Sequence, residues 1–245
     1  MRRAVAGLSL SLTVLLVPAA AHGAMVQTDR SCYLQTAKTN VTVSGEGFAP
    51  NTPYDVLLDD TTLLPTGSQA SIDAAGAFQG AFAPPTLRED ELERTFTVKA
   101  VNQGTEASTQ FTVTQLKADF SPSSGDPKKL KVRFSVAGFA LATPNPDVYV
   151  HYVDPRGKLK QTVRLGKATG QCGRIERTAK RRLFPFSSPR LGKWQLQFDT
   201  SRSFTKGVGG ANGSAFLFYA VGVCLQPPGA PKPSKSSPCP QTVKR

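Results

Sequence analysis

Few residues of this sequence have the side chains that catalysis or metal binding requires. Of its 2 histidines, His22 lies in an apolar N-terminal stretch, which leaves His151 as the base for any Ser-His-acid triad. His151 sits in the alternating segment Val148–Val153, and we interpret it as a histidine on one face of a strand. The 4 cysteines contain no Cys-x-x-Cys pair, and no calcium-loop or nucleotide-binding glycine pattern occurs. We therefore expect no catalytic residue, no metal site and no cofactor.

Basic side chains are the main functional indication. Residues 24–116 hold 5 Lys/Arg and 11 Asp/Glu, a net charge of −6, whereas residues 117–206 hold 19 Lys/Arg and 6 Asp/Glu, a net charge of +13. The two parts should attract each other, and the basic part should attract polyanions. The candidate contacts for an anionic partner are Lys129, Lys131, Arg133, Lys158, Lys160, Arg164, Arg181 and Arg182.

The spacing of these basic residues suggests how a sheet would present them. Alternation puts Lys129, Lys131 and Arg133 on one outward strand face. Lys158, Lys160 and Arg164 share the face of another strand. The connection that follows is crowded with basic residues: Arg174, Arg177, Lys180, Arg181 and Arg182. A solubilising surface would explain the same residues. The functional interpretation is contact with an anionic envelope polymer, a phospholipid surface or a surface protein. Nucleic acid is not expected, because no aromatic platform with base-stacking spacing is evident.

All 4 cysteines lie after the predicted signal peptide, in a chain that we expect to be exported. An even number of cysteines in an exported protein favours disulfide bonds. Three pairings are open. We favour Cys224 with Cys239, which closes a loop of roughly 15 residues worth about 3 kcal/mol of chain entropy, and Cys32 with Cys172, worth about 5 kcal/mol. The competing arrangement joins Cys172 to Cys224 and leaves Cys32 for Cys239.

Export is predicted from the N-terminal residues. Met1–Gly23 combines basic Arg2 and Arg3 with the apolar stretch Ala4–Val17, which is short for a membrane span, and small residues precede Ala24. An uncleaved anchor is the alternative. We expect a signal peptide at residues 1–23 and a secreted or surface-associated protein without a transmembrane segment in its mature part.

The segment Val41–Leu58 is typical of a strand, a Gly-x-Gly corner, a proline turn and a second strand. Its stretch GEGFAPNTPYDVLLD resembles the opening of a bacterial immunoglobulin-like repeat. Ser71–Phe82 resembles the D-x-x-G-x-F hairpin of such repeats, and Gly104–Thr114 resembles their closing strand. The resemblance covers roughly residues 27–115. The resemblance implies a Greek-key β-sandwich and indicates little about function.

Apolar and polar residues also alternate in the rest of the chain. The pattern predicts a strand at Lys129–Val136 and a hairpin whose strands, Asp147–Val153 and Leu159–Leu165, flank the turn Asp154–Lys158. Gly192–Phe198 resembles the Trp-containing strand of many sandwiches. A turn-rich link is expected at Gln115–Pro127. For Gly207–Leu225, which carries no charge, a buried last strand is preferred to a membrane segment.

The predicted organisation is all-β, with two tandem immunoglobulin-like domains after the signal peptide. Domain one is residues 24–116, domain two is residues 117–225, and residues 226–245 form a flexible tail rich in Pro, Ser and Lys. The leading functional hypothesis is a secreted, non-catalytic interaction or structural module of the cell surface or envelope. A small-molecule carrier is the alternative, because VSGEGFAPNTPYDV also resembles the enediyne-binding apoproteins. An extracellular hydrolase that uses His151 is the weakest of the three.

Overall fold

The computed structural model describes residues 23–36, 39–63, 71–126, 129–141, 143–206, 219–227, 229–230 and 239. The predicted signal peptide, apart from its last residue, and most of the predicted tail lie outside this set. The elements found among these residues are all β-strands, so the all-β prediction is confirmed. No helix in the described part of the chain is long and apolar enough to cross a membrane.

Two sheets form the N-terminal half. Its strands are β1 (Met25–Thr28), β2 (Cys32–Leu34), β3 (Val41–Glu46), β4 (Asp55–Leu58), β5 (Thr61–Leu63), β6 (Phe78–Phe82), β7 (Glu93–Asn102) and β8 (Thr105–Thr114). One sheet has the order β1-β3-β6 and the other the order β2-β8-β7-β4-β5. Alternation explains the packing, since Val41 and Val43 of β3 are fully buried while Thr42 and Ser44, which alternate with them, are not.

The C-terminal half repeats this plan. Its strands are β9 (Lys117–Ser121), β10 (Lys131–Ala137), β11 (Asp147–Val153), β12 (Leu159–Lys167), β13 (Arg181–Arg182), β14 (Gly192–Asp199) and β15 (Tyr219–Leu225). The sheets have the orders β13-β10-β9 and β12-β11-β14-β15. Each half has its own hydrophobic core, and Trp194, the single tryptophan, is 1% exposed in the C-terminal one.

The strand order is that of an immunoglobulin-like sandwich. Strands β1, β3 and β6 take the A, B and E positions, and β4, β7 and β8 take the C, F and G positions. In the C-terminal half, β9, β10 and β13 take the A, B and E positions, and β11, β14 and β15 take C, F and G. The halves differ at the edge of the sheet that contains the G strand. In the N-terminal half, β2 pairs in parallel with the G strand β8. In the C-terminal half, the G strand β15 is the edge strand among the described residues.

Two sequence-based expectations need correction. Ser71–Phe82 is not a hairpin, because β6 pairs with β3, more than thirty residues earlier in the chain, and the residues before it form a turn. The expected link at Gln115–Pro127 contains strand β9, whose Ala118 and Phe120 are buried against β10. The first error arises because pairing with a distant strand is decided by the core and not by the local pattern. The second could have been avoided, since buried Ala118 and Phe120 alternate with exposed residues along β9.

A disulfide joins the two halves. Cys32 on β2 is bonded to Cys172, with their Cα atoms 5.3 Å apart. Beside it the Thr112 hydroxyl donates to the Gln171 side-chain oxygen at 3.0 Å, and Arg174 lies 3.5 Å from Glu93. One described ion pair therefore crosses between the acidic and the basic half.

The other disulfide joins Cys224 of β15 to Cys239, with a Cα separation of 5.6 Å. The two bonds are the pairings favoured from the sequence. Cys224–Cys239 ties a point in the predicted tail to the last strand, and Cys32–Cys172 limits how far the halves can rotate against each other.

Candidate functional site

The predicted basic residues lie on two opposite faces of the C-terminal sandwich. On β10, Lys131 and Arg133 are exposed while Val132 and Phe134 are buried, and Arg182 of β13 lies directly opposite Lys131. These side chains project from the outer face of the three-stranded sheet. Lys160 and Arg164 lie on β12, in the other sheet. Because the two sheets enclose one core, their outer faces point in opposite directions.

The residues on β12 are already paired within the protein. Lys160 Nζ lies 3.4 Å from Asp154 Oδ2, and Arg164 Nη2 donates to Asp147 Oδ1 at 2.6 Å. The hydrogen bond from Arg164 lowers the pKa of Asp147. Their positive charge is therefore partly neutralised, which makes this strand a weaker contact for an anion than the sequence suggested.

Three of the predicted residues are not placed as the alternation suggested. Lys129 and Lys158 lie in turns that precede β10 and β12, so they extend neither strand face. Arg181 lies opposite Val132 and is turned toward the other sheet, where its Nη1 donates to the Arg164 carbonyl at 3.1 Å. The sequence did not indicate that Arg181 bridges the two sheet edges.

A basic pocket of about 320 Å³ opens on the outer face of the three-stranded sheet. We name it the sheet pocket. It contains three cations, one carboxylate, two serines and a proline: Arg133, Arg177, Lys180, Glu176, Ser121, Ser135 and Pro122. Arg133 and Ser121 are direct partners in the β9–β10 ladder, so their side chains leave the same face.

The segment 175–182 forms one wall of this pocket because it runs antiparallel to β10. Ile175 forms a bridge with Val136, and the Thr178 amide donates to the Phe134 carbonyl at 2.9 Å. Thr178 also holds the Arg133 side chain at the base of the pocket, since the Thr178 carbonyl accepts a hydrogen bond from Arg133 Nη1 at 3.2 Å. Arg177 and Lys180 are exposed on this segment and have no ion-pair partner in the part of the chain described.

The electrostatics of the sheet pocket favour an anion. The one carboxylate among its described lining residues, Glu176, lies 3.6 Å from Arg174, which leaves the three lining cations in excess. Serine hydroxyls from Ser121 and Ser135 add hydrogen-bond donors. Of the eight candidate residues from the sequence only Arg133 lines this pocket. Ser135 follows the same alternation and could have been found. The sequence shows Arg177 and Lys180 as members of a basic connection, but placing them at this pocket required knowledge of the segment's path.

His151 belongs to a buried polar network. Its ring is fully buried, with Nδ1 2.8 Å from the Thr162 hydroxyl and Nε2 3.0 Å from Asp199 Oδ1. Gln197 Nε2 donates to Asp199 Oδ2 at 3.0 Å. A hydroxyl, an imidazole and a carboxylate in series also occur in nucleophilic catalysis, but here the ring packs beneath Phe204 at 5.4 Å between centroids. The arrangement holds the segment after β14 on the sheet and offers no access to a substrate.

Two aspartates that a cation could use, Asp59 and Asp73, already have partners within the protein. Asp59 accepts from the Thr97 amide at 2.9 Å and pairs with Arg94 at 3.1 Å, and Asp73 Oδ1 accepts two amides of its own turn. No group of three or more His, Cys, Asp or Glu side chains within the described ranges could hold a metal ion.

Comparison with known proteins shows distant structural similarity. No protein-family model and no curated protein sequence matches the chain. Bovine butyrophilin aligns with 7% sequence identity and a TM-score of 0.32, covering 84% of this chain and 99% of that chain. Tandem immunoglobulin domains of titin align with 12% identity and a TM-score of 0.29, covering 82% and 96%. The CupB2 chaperone of Pseudomonas aeruginosa aligns with 12% identity and a TM-score of 0.21, covering 82% and 100%. Similarities this low carry no argument about function.

Proposed function

We propose that the protein is a secreted, non-catalytic module of two tandem immunoglobulin-like domains that binds an anionic polymer of the cell surface or envelope through its C-terminal half. The observation that supports this most directly is the sheet pocket, where Arg133, Arg177 and Lys180 converge on one opening with a single carboxylate. The net charge of +13 in residues 117–206 extends the attraction beyond the pocket.

A polymer fits this pocket better than a membrane surface does. At about 320 Å³ the pocket accommodates one anionic group and its neighbours on a chain. A flat bilayer would meet only the pocket's rim, and the basic residues are divided between opposite faces of the sandwich. The described cations therefore form no single plane that a bilayer could cover.

The proposal is tested with the full chain and fluorescein-labelled inorganic polyphosphate, with binding measured by fluorescence anisotropy at low salt. The double variant Arg177→Gln/Lys180→Gln removes two unpaired cations from the wall of the pocket. Each cation near an anionic surface is worth about 1 kcal/mol, so we expect the dissociation constant of the sheet pocket to rise about tenfold or more.

The matched control is Lys167→Gln/Arg190→Gln, which removes the same charge from exposed positions of the C-terminal half that do not line the sheet pocket. We expect less than about a twofold change for this variant. Equal weakening by both variants would show that only net charge matters. Binding to anionic phospholipid vesicles but not to polyphosphate would contradict the choice of partner.

The carrier hypothesis has one observation in its favour. A depression of about 690 Å³ covers the outer face of the sheet β1-β3-β6, with Gln27, Thr42, Ser44 and Gln79 among its lining residues. These side chains can donate and accept hydrogen bonds to a neutral polar molecule. Native mass spectrometry of the protein from its source would reveal a bound small molecule; an unliganded mass throughout would count against a carrier.

A further inference from the structure

The opposite face of the C-terminal sandwich contains a second cationic depression. It has a volume of about 610 Å³ and lies between β14, β15 and the turn that joins β11 to β12. We name it the outer groove. Its cations are Arg156, Lys193 and Lys206, and none of them belongs to the sheet pocket. The small residue Gly222 lines the groove beside Gln195, its partner in the β14–β15 ladder.

The turn that carries Arg156 is held by a buried carboxylate. Asp154 is 4% exposed, and its Oδ1 accepts from the amides of Arg156 and Lys158, each at 2.9 Å. Burial alone would raise the pKa of Asp154, but these two amides and Lys160 together lower it. The carboxylate is thus ionised at neutral pH and committed to the turn, which leaves the Arg156 side chain free to meet a ligand.

Lys206 is positioned by the polar network around His151. Gln197 Nε2 donates to the Thr205 carbonyl at 2.9 Å, and Asp199 Oδ1 accepts from the Ser201 amide at 2.9 Å. The segment is therefore tied to the sheet on both sides of Phe204. Lys206 Nζ lies over the turn, 3.2 Å from where a Cβ on Gly157 would stand. These bonds hold the backbone that carries Lys206, and no described carboxylate pairs with its exposed ammonium.

The outer groove and the sheet pocket face in opposite directions. Lys193 and Gln195 alternate along β14 with Trp194 and Leu196, which are buried in the core. Arg133 leaves the other sheet on its far side in the same way. Packed sheets lie about 10 Å apart, so the whole thickness of the sandwich separates the two cationic sites.

We propose that the outer groove is a second binding site for a linear polyanion, and that the protein bridges two polyanion chains through its opposite faces. This inference rests on the proposed function. The new element is that one protein molecule binds two polymer chains and therefore cross-links them. Two separate chains are expected because the two sites face away from each other.

Static light scattering of the full chain mixed with long-chain inorganic polyphosphate tests the bridging. We expect scattering to rise as polymer is added and to peak near charge equivalence. It should fall in excess polymer, because each polymer chain then rarely binds more than one protein molecule and no network forms. Tripolyphosphate is too short to connect two molecules, so it should compete for the sites and abolish the scattering.

Two variants of the outer groove separate a built site from general charge. Lys193→Gln/Lys206→Gln removes two of its cations. Gly222→Leu fills the groove without changing the charge, since even a Cβ at this position would lie 3.4 Å from Lys193 Cε. Gly222 is exposed on a strand and does not have a positive φ, so strand β15 should accept leucine. Both variants should lose at least about four-fifths of the peak scattering while binding of labelled polyphosphate weakens less than about fivefold.

The control Lys167→Gln/Arg190→Gln should keep its scattering. Retention of wild-type scattering by Gly222→Leu and by Lys193→Gln/Lys206→Gln, in proteins that still bind polyphosphate, would overturn the bridging inference and leave the proposed function intact. Absence of polyphosphate binding by the wild-type protein would instead overturn the proposed function, so the two failures are distinguishable.

Discussion

Replacement of His151 by alanine should destabilise the C-terminal half strongly, because the imidazole connects three strands and a loop. The ring bonds to Thr162 on β12 and to Asp199 at the end of β14, and it contacts Phe204. Alanine leaves the Thr162 hydroxyl and one oxygen of Asp199 short of a partner. The cost is about 1–3 kcal/mol for a buried group such as Asp199 and less for the half-buried Thr162. Part of the cost is relieved because Asp199 keeps Gln197 and the Ser201 amide. We expect a loss of about 3 kcal/mol in the free energy of unfolding.

Urea unfolding followed by Trp194 fluorescence measures this loss, since the single tryptophan is buried in the C-terminal core. With a typical urea dependence of unfolding, the midpoint should fall by about 1–2 M. His151→Gln, which retains an amide donor and acceptor, should lose about half as much. A midpoint within about 0.3 M of the wild type for His151→Ala would refute the assignment of a structural role, and the hydrolase hypothesis would deserve testing.

Two further predictions concern covalent and acid–base chemistry. Non-reducing peptide mapping should find a peptide that joins Cys32 to Cys172; a peptide joining Cys172 to Cys224 would contradict the fold of the connection between the halves. Burial raises the pKa of Tyr33, with help from its hydrogen bond to Asp29, and burial also raises the pKa of Tyr152. Their contribution to stability is complete below the unfolded tyrosine pKa of about 10 and is lost as pH rises above it. Tyrosinate absorbance should therefore show at least two tyrosines that ionise only as the protein unfolds, and early ionisation of all five would refute this.

Local alternation predicted much of the C-terminal half. Val132, Phe134 and Val136 are buried while Lys131 and Arg133 are exposed, and the strand Asp147–Val153 has the bounds expected from the sequence. Each of these features depends on a period of two within one strand. The sequence pattern contains that period whatever the strand pairs with.

Features that depend on distant pairing were missed. Gly76 was interpreted as part of a hairpin, but its φ is +80° and a Cβ there would stand 2.6 Å from the Phe48 carbonyl oxygen. The glycine therefore serves a close approach between two loops of the sandwich. The sheet pocket was missed for a similar reason, because Arg177 reaches the floor of β9 and β10 only through the path of the segment 175–182.

Counting charged residues in the sequence also does not show which cations are available to a ligand. Lys160 and Arg164 looked equivalent to Arg177 and Lys180 in the sequence, yet only the first two have carboxylates within 4 Å among the described residues. Partners for Lys160 and Arg164 come from the neighbouring strand or turn, through Asp154 and Asp147. A cation's availability to a ligand is therefore a property of the folded sheet.

The most direct test of anion binding by the C-terminal half is the salt dependence of polyphosphate binding. For a linear polyanion, the logarithm of the binding constant falls with the logarithm of salt concentration by about 0.7–0.9 for each charge contact. Arg177→Gln/Lys180→Gln should therefore reduce the slope by about 1.5, while Lys167→Gln/Arg190→Gln leaves it unchanged. Equal slopes for the wild type and both variants would contradict the assignment of the sheet pocket as the binding site.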